Sequence, residues 1–133
     1  MKNKLIDILF WVGMVVIGFY LLYTKGLILN DYQSVEPKVA YTMIENDDNL
    51  TIVDVRTPDE YKQDGHIARA KLVPLLHLES NLNMIDKSKK VLVYCRSGNR
   101  SATASRLLTK NGFTVINMSG GMIGWKSAKL PIE

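Results

Sequence analysis

Residues 93–102 read VYCRSGNRSA and hold the one cysteine of a 133-residue chain, Cys95. One thiol excludes an intrachain disulfide and any Cys-x-x-Cys redox or zinc site. An apolar run, KVLVYC (90–95), leads into it as a strand, and a helix over Arg100–Asn111 follows, ended by Gly112. Gly98 and Asn99 tolerate the left-handed backbone that so tight a loop needs. Loop N–H groups can then converge as an anion-binding nest, reinforced by the helix N-terminus. Arg96 and Arg100 add full positive charges. All of these favour thiolate over thiol. A thiol with an ordinary pKa near ~8.5 is only a few per cent ionised at neutral pH. Lowering that value by about two makes it mostly thiolate, worth about 2.7 kcal/mol, within reach of one arginine plus a helix terminus. Such a nucleophile in an anion-binding loop suits phosphoryl transfer through a phosphocysteine or sulfur transfer through a persulfide. No neighbouring histidine or acid offers itself as a general base. The competing reading is an inert cysteine packed at a strand end.

Other residues carry weaker signals. Asp54 and Arg56 end a buried strand, LTIVDV (50–55), on the side where sites form, as pocket supports or as a plain salt bridge. His66, in a Gly-His-Ile turn, reads as structural, Trp125 as core, and His77 as exposed and idle. Gly120 and Gly121 either let backbone approach the pocket or make a turn. Two scattered histidines do not argue for a metal, and no cofactor is implied. Residues 31–86 hold eleven acids and five bases, whereas residues 87–132 hold nine bases and no acid. A positive field around Cys95 favours small anions or an acidic partner protein. The bland alternative is an unevenly charged surface. From residue 26 on, the net charge is only +2 and aromatic and basic residues do not interleave, so no nucleic acid is expected.

These residues need a scaffold. Pro37 opens a short amphipathic helix, KVAYTMIEN (38–46). Thr57 is an N-cap, with Pro58 in the first turn and Gly65 as the stop. Short strands are expected at 32–35 and 70–73, a helix over 77–86, a strand over 113–118 and a last helix over 121–128. Five strands alternating with helices give an α/β fold with a mostly parallel sheet covered on both faces.

Three motifs in order then carry a resemblance. YCRSGNRSA is similar to the active-site loop of the rhodanese family, the single-domain sulfurtransferases. IVDVRTPDEYKQDGHIARA (52–70) resembles that family's upstream signature, and NGFTVINMSGGMIGWKSAKLPI (111–132) its closing one. The resemblance covers roughly residues 35–132. It implies a five-stranded sheet with helices on both faces and a persulfide on Cys95, cradled by Arg96, Ser97, Gly98, Asn99 and Arg100. One departure is Ala68-Arg69, where the family usually has a Pro-Gly or similar pair, which can alter a turn at the pocket rim. Four residues separate Cys95 from Arg100, one fewer than in the related cysteine phosphatases, so the loop suits one sulfur rather than a phosphate. The function implied is transfer of sulfane sulfur from an anionic donor, thiosulfate or a persulfide, through Cys95. With no second thiol in the chain, the acceptor is external: cyanide, a small thiol or a partner protein's cysteine. The alternatives are a tethered, non-catalytic rhodanese-like binding module and, less favoured, a phosphatase-like enzyme.

The N-terminal stretch reads as a single membrane anchor over residues 5–24. Ile8–Tyr23 carries no charge, and aromatic residues mark both ends: Phe10 and Trp11, then Tyr20 and Tyr23. A signal peptide is the first competing reading, but LYTKG offers no small-residue cleavage site. A buried core helix is the second, but the run has no polar face. Lys2 and Lys4 against Lys25 and Lys38 lean slightly toward an extracytoplasmic domain. Residues 25–36 form a linker and first short strand, and residues 37–133 the rhodanese-like domain.

Overall fold

The computed structural model describes residues 2–24 and 32–133. Residues 25–31 of the expected linker lie outside the described residues. The chain divides into an N-terminal unit and a unit spanning residues 31–133.

The N-terminal unit contains one helix, α1 (Lys2–Thr24). Its 23 residues rise about 35 Å at 1.5 Å each, the order of a bilayer's thickness. Between Asn3 and Tyr23 its charges are confined to Lys4 and Asp7 and none of the apolar stretch is buried, so it is long and apolar enough to cross a membrane. The expected anchor began at residue 5; the helix extends to include Lys2, Asn3 and Lys4 at its start.

In the second unit, β1 (Gln33–Val35), β2 (Thr51–Asp54), β3 (Lys71–Leu72), β4 (Val91–Tyr94) and β5 (Val115–Met118) form one sheet in the order β1-β5-β4-β2-β3. Every pairing is parallel, where the sequence reading expects only a mostly parallel sheet. Parallel neighbours need crossovers, which α2 (Pro37–Asn46), α3 (Pro58–Gln63), α4 (Leu75–Leu78) and α5 (Asn99–Lys110) help to supply, while α6 (Gly121–Ser127) follows the last strand. The expected helix over 77–86 is instead α4 followed by a 3₁₀ segment, Glu79–Met84, with a non-helical break at Asn81. Pro74 sets the start of α4 early, and two asparagines, weak helix formers, fall in the tighter segment.

Strand alternation builds two cores. Ile52, Leu92, Tyr94, Ile116 and Met118 point to one face, where Ala40 and Ile44 of α2 and Met122 and Trp125 of α6 cover them. Val53, Val91, Val93, Cys95 and Val115 point to the other, against Leu78 of α4 and Ala104 and Leu108 of α5. Burial on both faces explains why the strands read as continuous apolar runs. It also places Cys95, at the end of the central strand, with its side chain toward α5.

Candidate active site

The site forms where β4 ends and α5 begins. Gly98 is the N-cap of α5 and takes φ +110°, the left-handed region that favours glycine. That turn brings the Gly98 N–H to 3.0 Å from Cys95 Sγ. The Ser101 hydroxyl lies 3.5 Å from the same sulfur and donates to the Gly98 carbonyl at 3.1 Å. Cys95 is 1% exposed, and burial alone pushes its pKa up. Hydrogen bonding from Ser101 and from the Gly98 and Ser97 amides outweighs that, so the thiol ionises below its ordinary range. Ser97, Asn99 and Arg96 are exposed around the buried sulfur.

The two arginines stand differently from expectation. Arg100 does not face the sulfur alone: its guanidinium is clamped by Glu60, with Nη1 donating to Oε1 at 2.6 Å and Nη2 to Oε2 at 2.8 Å. Arg100 in turn lowers the Glu60 pKa to about 2. Glu60 also accepts from the Thr57 N–H, closing the capping box that starts α3. Arg100 thus ties the cysteine loop to α3, and its charge is largely balanced. Loop amides and Ser101 hold the sulfur, where the sequence reading shared that role among the loop amides, the helix start and the two arginines. Arg96 is exposed and carries no ion pair; among the described residues the ion pairs involve Arg56, His66, Arg69 and Arg100.

Asp54 and Arg56 form a buried pair beside the loop. Arg56 Nη2 donates to Asp54 Oδ2 at 2.7 Å and to the Gly65 carbonyl at 2.8 Å, and both side chains are fully buried. Asp54 Oδ1 also accepts from the Arg56 N–H at 3.0 Å. The pair therefore pins the end of β2 to the Gly-His-Ile turn. In that turn the His66 ring stacks on Tyr61, with Nδ1 3.1 Å from the Tyr61 carbonyl oxygen. His77 lies exposed on α4.

Gly121 is where backbone meets backbone. It sits at φ +56°, and a Cβ there would fall onto the carbonyl groups of Cys95 and Arg96. Its absence lets the first turn of α6 dock on the loop: the Met122 N–H donates to the Cys95 carbonyl at 2.9 Å and Ile123 N–H to the Arg96 carbonyl at 3.0 Å. Trp125, 1% exposed, anchors the helix in the core and donates from Nε1 to the Pro131 carbonyl at 2.9 Å.

At the Ala68-Arg69 departure, Arg69 itself adopts φ +68°. The turn keeps the left-handed conformation that a glycine would adopt freely. The Arg69 guanidinium donates to the Ile44 carbonyl at 2.9 Å, at the end of α2, so its charge is spent there. Sequence reasoning missed Ser101 and Glu60. Ser101 follows the arginine that closes the motif, and a serine in the first turn of a helix was the signal available. Glu60 lies 40 residues from Arg100, and nothing in its own segment points to that partner.

Comparison with known proteins agrees with this geometry. The Rhodanese-like domain family model matches residues 36–128. A sulfurtransferase of Allochromatium vinosum is 36% identical over 103 residues, covering 77% of this chain and 91% of the relative. The thiosulfate sulfurtransferase GlpE of Coxiella burnetii is 33% identical over 97 residues, 72% of this chain and 89% of the relative. Among solved structures, a rhodanese-related protein from Thermoplasma volcanium superposes with a TM-score of 0.71 at 30% identity, covering 77% of this chain and 98% of that one. A parallel sheet that ends in a cysteine loop capped by a helix defines the class, and this chain belongs to the rhodanese family. It is a rhodanese-type sulfurtransferase.

Proposed function

We propose that Cys95 carries the transferred sulfur as a persulfide, taken from an anionic donor such as thiosulfate and given to an external thiol or cyanide. The observation that carries this reading is the buried Cys95 sulfur, held 3.0 Å from the Gly98 amide, with its pKa brought below the ordinary thiol range by Ser101 and the loop amides. In the first step the thiolate attacks the outer sulfur of thiosulfate. A new S–S bond forms, the old one breaks, and sulfite leaves with the electron pair. In the second step an acceptor thiolate or cyanide attacks the outer sulfur, and the Cys95 thiolate departs. The persulfide's outer sulfur extends about 2 Å beyond Sγ, toward the exposed loop residues where an acceptor can reach it.

Two features support sulfur over phosphate. Loop amides aim at one atom, and the four residues between Cys95 and Arg100 make a small ring. Arg100, the cation that would face a phosphate, is committed to Glu60. After incubation with thiosulfate the intact protein gains the mass of one sulfur atom and loses it on reduction. Cys95→Ser shows neither change. Full transfer activity in Cys95→Ser, or efficient aryl-phosphate hydrolysis by the native chain without sulfur uptake, overturns the reading. A chain that binds sulfur donors without turnover is the binding module instead.

The apolar α1 supports single-pass membrane tethering of the domain, with the lysine balance favouring the extracytoplasmic face. Carbonate extraction leaves a full-length protein in the membrane pellet, and protease added to spheroplasts cuts the domain. A shortened soluble product, or a protected domain, reverses the corresponding part.

A further inference from the structure

If Arg100 is neutralised, the cations free to hold a substrate's charge lie elsewhere. A cavity of about 130 Å³ is lined by Arg56, Asp64, Arg96, Met122, Ile123 and Lys126. Arg96 and Lys126 are exposed and form no ion pair among the described residues, and they outnumber Asp64, the one carboxylate among the residues that line the wall. The third cation is more informative. Arg56 has a fully buried side chain whose Nε and Nη2 are satisfied by Asp54 and Gly65, while Nη1 has no partner. Folded proteins leave few buried donors unsatisfied, because each forfeits the hydrogen bond it had in water. A guanidinium with one unsatisfied nitrogen at the wall of a cationic cavity is a donor suited to an oxyanion.

The cavity also lies on a defined side of the sheet. Arg56 packs over the ring of Tyr94, which belongs to the α2 and α6 face, and the cavity is walled by α6. Cys95 belongs to the opposite face, against α5, and does not line the cavity. The two are joined through Arg96 and through the Met122 amide on the Cys95 carbonyl. An anion held here is therefore not in contact with Cys95. The sulfonate of thiosulfate is bonded directly to the outer sulfur that must meet Sγ, whereas a thiol can carry its carboxylate several bonds away. The volume suits one such group and is below that of ordinary whole-ligand pockets, about 300 Å³ and up.

We propose that this cavity is the anion subsite for a small carboxylate-bearing thiol acceptor, with Arg56 Nη1, Arg96 and Lys126 holding the carboxylate. The inference rests on the persulfide reading above. The full-length protein is loaded with thiosulfate, and sulfur uptake is read by mass before any acceptor is added. Discharge is then followed with glutathione, whose carboxylates are remote from its sulfur, and with uncharged 2-mercaptoethanol. In Lys126→Glu the KM for glutathione rises about tenfold, the effect of one lost charge-assisted contact, while the KM for 2-mercaptoethanol moves less than about twofold. S-methylglutathione, which has the carboxylates but no thiol, competes with glutathione in the native protein and not in Lys126→Glu. Equal changes for both thiols, or none for either, or no competition, overturn the subsite while leaving the persulfide standing. Failure of the native protein to load sulfur removes both.

Discussion

The site is flanked by two arginine–carboxylate pairs of similar length and different character. Asp54–Arg56 closes at 2.7 Å with both side chains fully buried. Glu60–Arg100 closes at 2.6 Å with 20% and 36% of the side chains exposed. The first joins a strand end to a turn in the interior, where a charge left alone has no water to turn to. The second straps two helix starts together at the rim, where solvent replaces either partner. Distance alone therefore says little about energetic weight; burial decides it.

The largest effect follows from breaking the interior pair. Asp54→Ala leaves Arg56 charged and buried, and should destabilise the domain by about 3–5 kcal/mol. Chemical denaturation followed by Trp125 fluorescence measures it; a loss under about 1 kcal/mol would show that the pair is not the buried support described. Removing both partners sharpens the point. Asp54→Ala combined with Arg56→Met should recover part of that loss, since no lone charge remains. A double variant no more stable than Asp54→Ala would contradict it. At the rim, Glu60→Gln should cost only about 1 kcal/mol or less. It frees Arg100 and should lower the KM for thiosulfate by a few-fold, because the cation then faces the loop. An unchanged KM would mean that Arg100 never reaches the donor.

The smallest effect is one of pH. Glu60 has a folded pKa lowered from 4.5 to about 2, so its contribution is fully present above 4.5 and is lost as pH falls toward 2. Native protein should therefore lose stability over that window, and Glu60→Gln should lose less. Parallel slopes for the two proteins would remove Glu60 as the cause.

Legibility in the sequence followed the range of the interactions. The β-branched runs of β2 and β4, the Thr57 cap and the loop glycine are local signals, and each announced its element. The rhodanese-like chemistry was legible from three ordered motifs. The partner of Arg100 was not, because pairing across 40 residues leaves no mark on either segment. The role of Gly121 was legible only as one of two possibilities. Which of them holds depends on carbonyl groups contributed by residues 95 and 96, far back along the chain. The segment at 79–84 is 3₁₀ rather than the expected α-helix because Asn81 and Asn83 weaken the helical turn, a local signal that the apolar spacing outweighed in the sequence reading.

Cys95 closes the middle strand of the sheet, with β2 on one side and β5 on the other. β2 comes from residues earlier in the chain, but β5, α5 and α6 come after it. During synthesis the thiol therefore emerges before half of its shelter exists, and long-range parallel pairings form slowly. Over that interval an oxidant meets an exposed cysteine with no second cysteine in the chain to resolve a sulfenic acid. Once the sheet is complete, the same sulfur is 1% exposed within its loop. A reagent that labels the thiol quickly in the unfinished chain and more slowly in the folded one therefore reports how far the sheet has closed around it.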